Sequence, residues 1–375
     1  MNPYWLEEPT PARPETKLDG RADVAIVGAG VTGCAAALRL AAGGLRVRVH
    51  DARGIAEGAS GRNGGFALAG GAARYDVARE TYGADRAKAY WLWTEEKLDR
   101  LAELAGDALR RTGSYRLAAD EEEREMIRLE YEALREDGLD GEWLDDVPGG
   151  AHGKFFGAIS HPSDGAIQPA RLVRRLAARA AEAGAEFREH EQVGDVDALD
   201  ADRVLVATDG YGHGLVAELA DFIWPTRGQV VVSEPLEERL YDRPHYARHG
   251  FDYWQQLPDG RIVLGGFRDH SIMDELTDRE ELTPTIQASL ESFLHELAGR
   301  EVEVTHRWAG IFGLTQDALP LVGPVPGHDG RVWVAAGYSG HGNVLGFGCG
   351  ELVADALLGR DSPQLELLDP ARFFD

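Results

Sequence analysis

Gly28, Gly30 and Gly33 follow the spacing G-x-G-x-x-G, and a carboxylate, Asp51, stands eighteen positions after Gly33. Each residue type has a chemical use. Gly28 permits a tight turn, Gly30 lets backbone approach a pyrophosphate, and Gly33 lets a helix pack closely on a strand. A carboxylate at Asp51 can accept both hydroxyls of an adenosine ribose, and its charge would repel a 2′-phosphate, which disfavours NADP. Three elements must position these groups, and residues 23–51 (DVAIVGAGVTGCAAALRLAAGGLRVRVHD) supply all of them. Val24, Ala25, Ile26 and Val27 read as a buried strand. An alanine-rich helix follows to Ala42, Gly43 and Gly44 end it, and a second apolar strand over residues 45–49 leads to Asp51. A glycine-rich turn alone fits any α/β protein; the complete order is that of a dinucleotide-binding βαβ unit, whose first-turn N–H groups and helix dipole would face phosphates.

Three later stretches belong to the same style. Residues 52–71 (ARGIAEGASGRNGGFALAGG) are too rich in glycine for regular structure, and such a loop lets backbone line a large flat ligand. A short strand over residues 203–207 (RVLVA) meets Thr208, Asp209, Gly210 and Tyr211. Near the end, RVWVAA runs into Gly337, Tyr338, Ser339, Gly340, His341 and Gly342, and a helix follows over residues 343–358. The texture between these pieces differs. Residues 75–138 read as helical, with Tyr82, Tyr90, Trp91 and Trp93 as core, and residues 113–117 (GSYRL) as one strand. A helix over residues 170–183 precedes a strand at 185–189. Within residues 226–307, strands alternate with period two around a Pro258-Asp259-Gly260 turn, which predicts an antiparallel hairpin, and a helix over residues 285–298 and one more strand follow. The expected division is an arm (1–21) lying on the surface, a discontinuous nucleotide-binding domain (22–75, 155–222 and 310–375), and an inserted second domain (76–154 and 223–309).

Composition narrows the function. The 375 residues carry 39 Lys+Arg against 64 Asp+Glu, a formal net charge of −25, which repels nucleic acid and anionic membranes and favours cationic ligands. Two cysteines, Cys34 and Cys349, read as small buried residues, and they offer neither a metal cluster nor a disulfide framework. The polar, proline-rich amino terminus contains no apolar run, so the cytoplasm is the expected compartment.

The motifs IVGAGVTGCAAA, GASGRNGG, LVRRLAARAAEAGAEFREHEQV, VLVATDGY, GLTQDALPLVG and GYSGHG together resemble the D-amino-acid oxidase-like superfamily of FAD enzymes across nearly the whole chain. GASGRNGG and GYSGHG look most like γ-glutamylputrescine oxidase-type members, with glycine oxidase and monomeric sarcosine oxidase more distant. The resemblance implies an α/β fold (α+β overall), with a Rossmann-like FAD-binding domain and an inserted antiparallel-sheet and helix substrate domain. It also implies site roles. Gly28, Gly30, Val31, Thr32 and Gly33 would hold the pyrophosphate, Asp51 the ribose, and Ala52 and Arg53 would flank that ribose. Ala59, Ser60, Arg62, Asn63, Gly64 and Gly65 would run beside the ribityl chain and isoalloxazine. Val193 would meet adenine through its backbone, and Thr208 would close that end. Gly337, Gly340, His341, Gly342 and Asn343 would direct helix N–H groups at the flavin, where negative charge develops on reduction.

The implied chemistry is oxidation of a C–H bond beside an amine nitrogen, with hydride delivered to flavin N5, an imine left to hydrolysis, and O2 as the expected electron acceptor. An amine dehydrogenase passing electrons to a quinone or a protein is the alternative, and a flavin-binding partner protein without turnover is a reading of another class. Two departures bear on substrate and cofactor. Phe312 stands where glycine and D-amino-acid oxidases carry an arginine for the substrate carboxylate, which speaks against free α-amino acids unless Arg62 or Arg268 binds the carboxylate instead. Gly310 stands near the cysteine through which monomeric sarcosine oxidases hold FAD, so noncovalent FAD is expected. Candidate catalytic residues are Tyr253, Arg268 and His341; candidate pocket residues are Trp254, Phe312 and Tyr338. Since adjacent strand residues face opposite ways, only one of Tyr253 and Trp254 is expected to face the flavin. Arg268 reads first as a surface ion pair and only then as a pocket residue.

Overall fold

The computed structural model describes residues 3–212 and 214–374, and the strand Ala22–Val27 lies at the centre of its parallel sheet. That strand pairs in parallel with Val47–His50 on one side and with Ala201–Val206 on the other. Glu186–Arg188 extends the first side and Val332–Ala336 the second, while Leu321–Pro324 closes the edge antiparallel, giving six strands. Continuous apolar runs such as VAIV suit strands covered on both faces. The helix Val31–Ala42 packs between Pro169–Glu182 and Val344–Leu357. Small residues set the last contact: a Cβ at Gly350 would lie 2.4 Å from the Thr32 carbonyl oxygen, and one at Gly346 would lie 2.9 Å from Thr32 Oγ1. Two helix N-termini therefore open side by side.

The second sheet has eight strands, in the order Val304–Leu314, Trp224–Ser233, Ile262–Gly266, Asp252–Gln256, His245–Ala247, Ser114–Leu117, Ala158–His161 and Glu142–Leu144. It is antiparallel except between His245–Ala247 and Ser114–Leu117. The period-two stretch forms the hairpin Asp252–Gln256 with Ile262–Gly266, and the helix Pro284–Ala298 supplies Ile286, Leu290 and Leu294 to the core on that sheet. A discontinuous Rossmann-like unit thus carries an inserted, mainly antiparallel sheet.

Four segments differ from the expectations above. The amino-terminal arm does not simply lie on the surface: Trp5 is 1% exposed, its Nε1 donates to the Asn63 carbonyl at 2.7 Å, and Gln168 Nε2 donates to the Trp5 carbonyl at 3.0 Å. One indole in a polar arm leaves no periodic trace, yet it buttresses the glycine-rich loop. The helix Ala84–Ala105 packs on Val344–Leu357 and shares one core cluster with it through Tyr90, Trp93, Leu98 and Leu101, because Gly348 leaves room for the Trp93 ring. Ala158–His161, within the stretch expected for the nucleotide domain, pairs with Ser114–Leu117 in the second sheet. In the loop 52–71, Phe66–Ala67 pairs with Gly165–Ile167, which also pairs with Leu109–Arg110. Both cysteines are buried. Among the described residues no helix is long and apolar enough to cross a membrane, and no group of His, Cys, Asp and Glu is arranged to hold a metal.

Candidate functional site

A cavity of about 1010 Å³ runs from the carboxyl ends of the parallel strands to the inner face of the second sheet. The glycine turn opens it. Gly28 has φ +107°, and a Cβ there would lie 2.6 Å from the Ala207 carbonyl oxygen; Gly30 is the N-cap of Val31–Ala42 and lines the cavity. Gly33 stands behind the wall, where a Cβ would lie 1.9 Å from the Gly28 carbonyl oxygen. Asp51 reaches over this turn: its Oδ2 accepts the Ala29 N–H at 2.6 Å and its Oδ1 the Arg53 N–H at 2.8 Å. Burial raises the Asp51 carboxyl above its ordinary value, and the two N–H donors oppose that rise. Ala52, Arg53, Val193 and Thr208 line the same end, where the Thr208 hydroxyl is buried and has no partner among the described residues.

The loop after Asp51 forms the middle of the wall. Ser60 Oγ accepts the Val31 N–H at 2.9 Å, and the Asn63 and Asn343 side chains bond to each other at 3.2 Å. Asn343 Nδ2 also donates to the Phe66 carbonyl at 2.7 Å, so the loop is tied to the helix Val344–Leu357. Val31, Thr32, Ala59, Ser60, Asn63 and Gly64 line the cavity, whereas Gly65 packs behind it on Gln255. Arg62 lines the cavity too, but its Nε donates to the Glu57 carbonyl at 2.8 Å and its Nη1 to the Ala309 carbonyl at 3.3 Å. Gly340, His341, Gly342 and Asn343 bring the second helix N-terminus to the cavity beside that loop. Gly337 lies behind them with φ +82°, its N–H donating to Asp209 Oδ1 at 2.8 Å. Burial pushes His341 down to about 4, so its imidazole is neutral near pH 7, and its Nδ1 has no partner among the described residues.

At the far end Tyr253 faces the cavity, and burial pushes its hydroxyl up to about 12. Trp254 does not belong to the pocket: it is 0% exposed and lies among Phe155, Tyr241, His245 and Phe293 on the other face of the hairpin. Alternation predicts that one of the pair faces away; the pleat decides which. Tyr338 touches the cavity but is withdrawn from the substrate end, since its hydroxyl bonds Thr32 Oγ1 at 2.8 Å and donates to the Ala335 carbonyl at 2.7 Å. Phe312 is half-buried in the wall. Its backbone is fixed by Asp209, which accepts the Gly313 N–H at 3.0 Å, and by Gly210, whose Cβ would lie 2.6 Å from the Phe312 carbonyl carbon. Arg268 stands at the same end, its guanidinium carbon 4.4 Å from the Phe251 ring centre and 6.0 Å from that of Phe312.

Residues outside the sequence-derived site complete it. Asp209 staples two turns, Trp5 supports the loop, Phe66, Tyr246 and Phe251 line the substrate end, and Glu280 accepts Arg53 Nη1 at 2.8 Å. An acid directly after a strand ending in Ala-Thr is a usable signal for Asp209; Glu280, in the polar run DELTDREELT, offers none.

FAD fits what these residues provide: a carboxylate for ribose, two helix N-termini, a glycine wall without side chains, and buried polar atoms left for a ligand. At Gly310 a Cβ would lie 2.7 Å from Arg62 Cβ, which leaves no room for a cysteine, and neither Cys34 nor Cys349 lines the cavity. A family model described as FAD dependent oxidoreductase (DAO) matches residues 23–356. The oxidoreductase OrdL of Rhizobium meliloti (strain 1021) is 30% identical, over 97% of this chain and 90% of its own. Gamma-glutamylputrescine oxidoreductase of Escherichia coli (strain K12) is 29% identical, over 90% of this chain and 84% of its own. Glycine oxidase from Geobacillus kaustophilus shares the fold, with a TM-score of 0.73 at 24% identity over 95% of this chain and 98% of that one. Cradle, cavity and relatives agree, and the chain belongs to the DAO family of FAD-dependent oxidoreductases.

Proposed function

We propose that the chain oxidises the C–N bond of a small amine that lacks an α-carboxylate, with O2 as electron acceptor and H2O2 as product. Phe312 carries this reading. A carboxylate taken from water into a pocket costs several kcal/mol unless it is paired; Phe312 is apolar, and Arg62 is already bonded to carbonyl oxygens. FAD, when bound, supplies the two-electron acceptor for hydride from the carbon beside nitrogen. The chain's own part is to receive, desolvate and orient the amine. Phe66, Phe251, Tyr253 and Phe312 surround the amine with aromatic surface, which favours the neutral form needed for hydride loss. The helix N-terminus at Asn343 stabilises negative charge beside it, and His341, held neutral, adds no competing cation to the pocket. The imine leaves and takes up water to give a carbonyl compound and the released amine or ammonia. The net charge of −25 favours the approach of cationic amines.

Anaerobic bleaching of the bound flavin across polyamines, N-methyl amines and amino acids tests the substrate, and H2O2 formation in air tests the acceptor. Polyamine-like or N-substituted amines should bleach the flavin well ahead of glycine or D-alanine, and Phe312→Arg should shift preference toward the amino acids. Faster turnover of glycine or D-alanine than of any amine without an α-carboxylate would reject the proposal.

A further inference from the structure

Resting on that reading of the site, we infer that Glu123, which lies outside the cavity, is the positioning residue of a selectivity turn, Arg248–Gly250, that sets the width of the substrate end where it opens to solvent. Three consecutive residues of this turn are left-handed: Arg248 has φ 50°, His249 φ 59° and Gly250 φ 83°. Glycine adopts that region freely, whereas Arg248 and His249 do so at a cost in conformational energy that persists only where surrounding structure imposes it. One carboxylate imposes it. The Arg248 N–H donates to Glu123 Oε2 at 3.1 Å and the His249 N–H to Oε1 at 2.7 Å, so two successive amides converge on one anion as in a backbone nest. Glu123 is only 3% exposed, which shields these bonds from water. A glutamate at this place also has a simpler use, since Asp120 and Glu123 have the spacing of a capping box at the start of the helix Glu121–Glu136. Both uses are present. Asp120 Oδ1 accepts the Glu123 N–H at 2.8 Å and Glu123 Oε2 accepts the Ala119 N–H at 2.8 Å, while Oε1 serves His249 alone among the described residues.

The turn is placed to act on substrate. His249, Gly250 and Phe251 line the cavity, and the His249 side chain is 52% exposed, which puts it where the cavity meets solvent. The Phe251 N–H donates to the Arg248 carbonyl at 2.9 Å, so the position of that ring follows the turn. A second left-handed pair, Gly266 with φ +133° and Phe267 with φ 62°, locks against the first. The Phe251 carbonyl accepts the Phe267 N–H at 3.0 Å, and a Cβ at Gly266 would lie 1.9 Å from that carbonyl oxygen. Arg248 completes the lock, with Nη2 bonded to Asp252 at 2.9 Å and the guanidinium to Asp269 at 3.0 and 3.1 Å. The hairpin therefore fixes one side of the turn. Glu123, from a helix none of whose residues lines the cavity, fixes the other. A shift of the two amides on Glu123 would move His249 and Phe251 against the substituents of the amine and leave the glycine cradle of the nucleotide unit in place.

The test compares Glu123→Gln with Asp120→Ala, which removes the helix cap and leaves the carboxylate on the turn, both as FAD-loaded protein. In Glu123→Gln one acceptor becomes an amide donor facing a backbone N–H. Hydrogen exchange over residues 248–251 should then quicken by about tenfold or more, and in Asp120→Ala it should stay within about twofold of native. Anaerobic bleaching by hexylamine and by its branched isomer 3,3-dimethylbutylamine reads the selectivity. The native protein should favour the linear amine through a lower KM. Glu123→Gln should cut that preference by about tenfold with the limiting rate of reduction within about twofold, whereas Asp120→Ala should lower Tm and keep the preference. Unchanged exchange in Glu123→Gln, equal KM values for the two isomers in the native protein, or the same loss of preference in Asp120→Ala would each overturn the inference. If Glu123→Gln does not fold, His249→Gly decides: glycine holds the left-handed turn without strain, so only the side chain at the mouth is lost, and the KM of the branched isomer should approach that of the linear one. An unchanged ratio there would count against the turn. If no amine bleaches the flavin, the amine oxidation reading fails, and the exchange measurement still decides whether Glu123 holds the turn.

Discussion

At the scale of single residues, the legible part of the site is the part where backbone does the chemistry. Gly28, Gly30 and Asp51 can be read from spacing because a turn, a close approach and a ribose acceptor each demand one residue type. Two substitutions separate these roles. Gly30→Val would place a branched side chain in the pyrophosphate path and against Ser60 Oγ, 3.0 Å from the Cβ position, and should yield apoprotein. Asp51→Ala removes charge-assisted bonds of about 1–3 kcal/mol, so FAD should bind about tenfold to hundredfold more weakly without being abolished. Flavin content after gel filtration checks both, and stoichiometric FAD on the Gly30→Val protein would show that the turn had been misread. Side-chain roles were less legible. Trp254 and Tyr253 are adjacent aromatics on one strand, and only the pleat assigns the first to the core and the second to the cavity. Tyr338 sits in a glycine turn that reads as a pocket, yet its hydroxyl holds two elements together.

At the scale of elements, the parallel strands and the hairpin could be found from apolar runs and alternation, whereas helix partners could not. The stretch 346–350 (GFGCG) shows why. Three glycines inside a helix cost about 1 kcal/mol each relative to alanine. They are explained only by what approaches them: Thr32 at Gly346 and Gly350, and Trp93 and Lys97 at Gly348. Sequence pattern shows the glycines but not the neighbours, so the packing of Ala84–Ala105 against Val344–Leu357 cannot be read from it. Gly350→Ala gives a sign test. By propensity it should stabilise, but its Cβ would lie 2.4 Å from the backbone oxygen of Thr32, and overpacking of this kind costs about 1–3 kcal/mol. We expect a lower Tm and reduced flavin content; a raised Tm would show that the two helices can part freely. Behind the hairpin, His245 stacks on Trp254 at 5.3 Å, its Nδ1 bonds the Arg243 carbonyl at 2.7 Å, and its Nε2 is buried without a partner among the described residues. Burial pushes this imidazole from 6.5 down to about 4. Between those values the unfolded chain binds the proton and the folded chain does not, so stability falls as pH drops from about 6.5 toward 4. From pH 7 to 5 the native protein should lose about 2 kcal/mol relative to His245→Phe, whose residue at that position cannot titrate. Urea midpoints at the two pH values measure the difference, and parallel losses in both proteins would contradict it.

At the scale of the whole molecule, the cavity lies between the two sheets, and the segment between Arg268 and Thr283 forms a strap that bonds to both units. One end of the strap is fixed inside the second sheet. Glu275 accepts Arg227 Nε at 2.8 Å and Nη2 at 2.9 Å, both side chains are 1% exposed, and Gln229 Nε2 donates to the same carboxylate at 3.0 and 3.1 Å. The other end reaches the nucleotide unit. Glu280 accepts Arg53 Nη1 and the Tyr211 hydroxyl, and that hydroxyl accepts the Ile311 N–H at 3.1 Å. One carboxylate thus joins the loop after Asp51, the turn after Ala201–Val206 and the long strand Val304–Leu314, all of which border the cavity. Glu280→Gln keeps the shape and removes the charge. Arg53 then lies half-buried with no ionised partner at Glu280, which should cost about 1–3 kcal/mol. The loss should fall on cofactor retention more than on either core, because none of the joined segments supplies the centre of a sheet. We expect FAD to dissociate about tenfold to hundredfold faster, read from the rise of free-flavin fluorescence after dilution, with Glu275 and its partners keeping the second sheet's Tm near that of the native protein. A variant that released FAD at the native rate would mean that the strap plays no part in holding the cofactor.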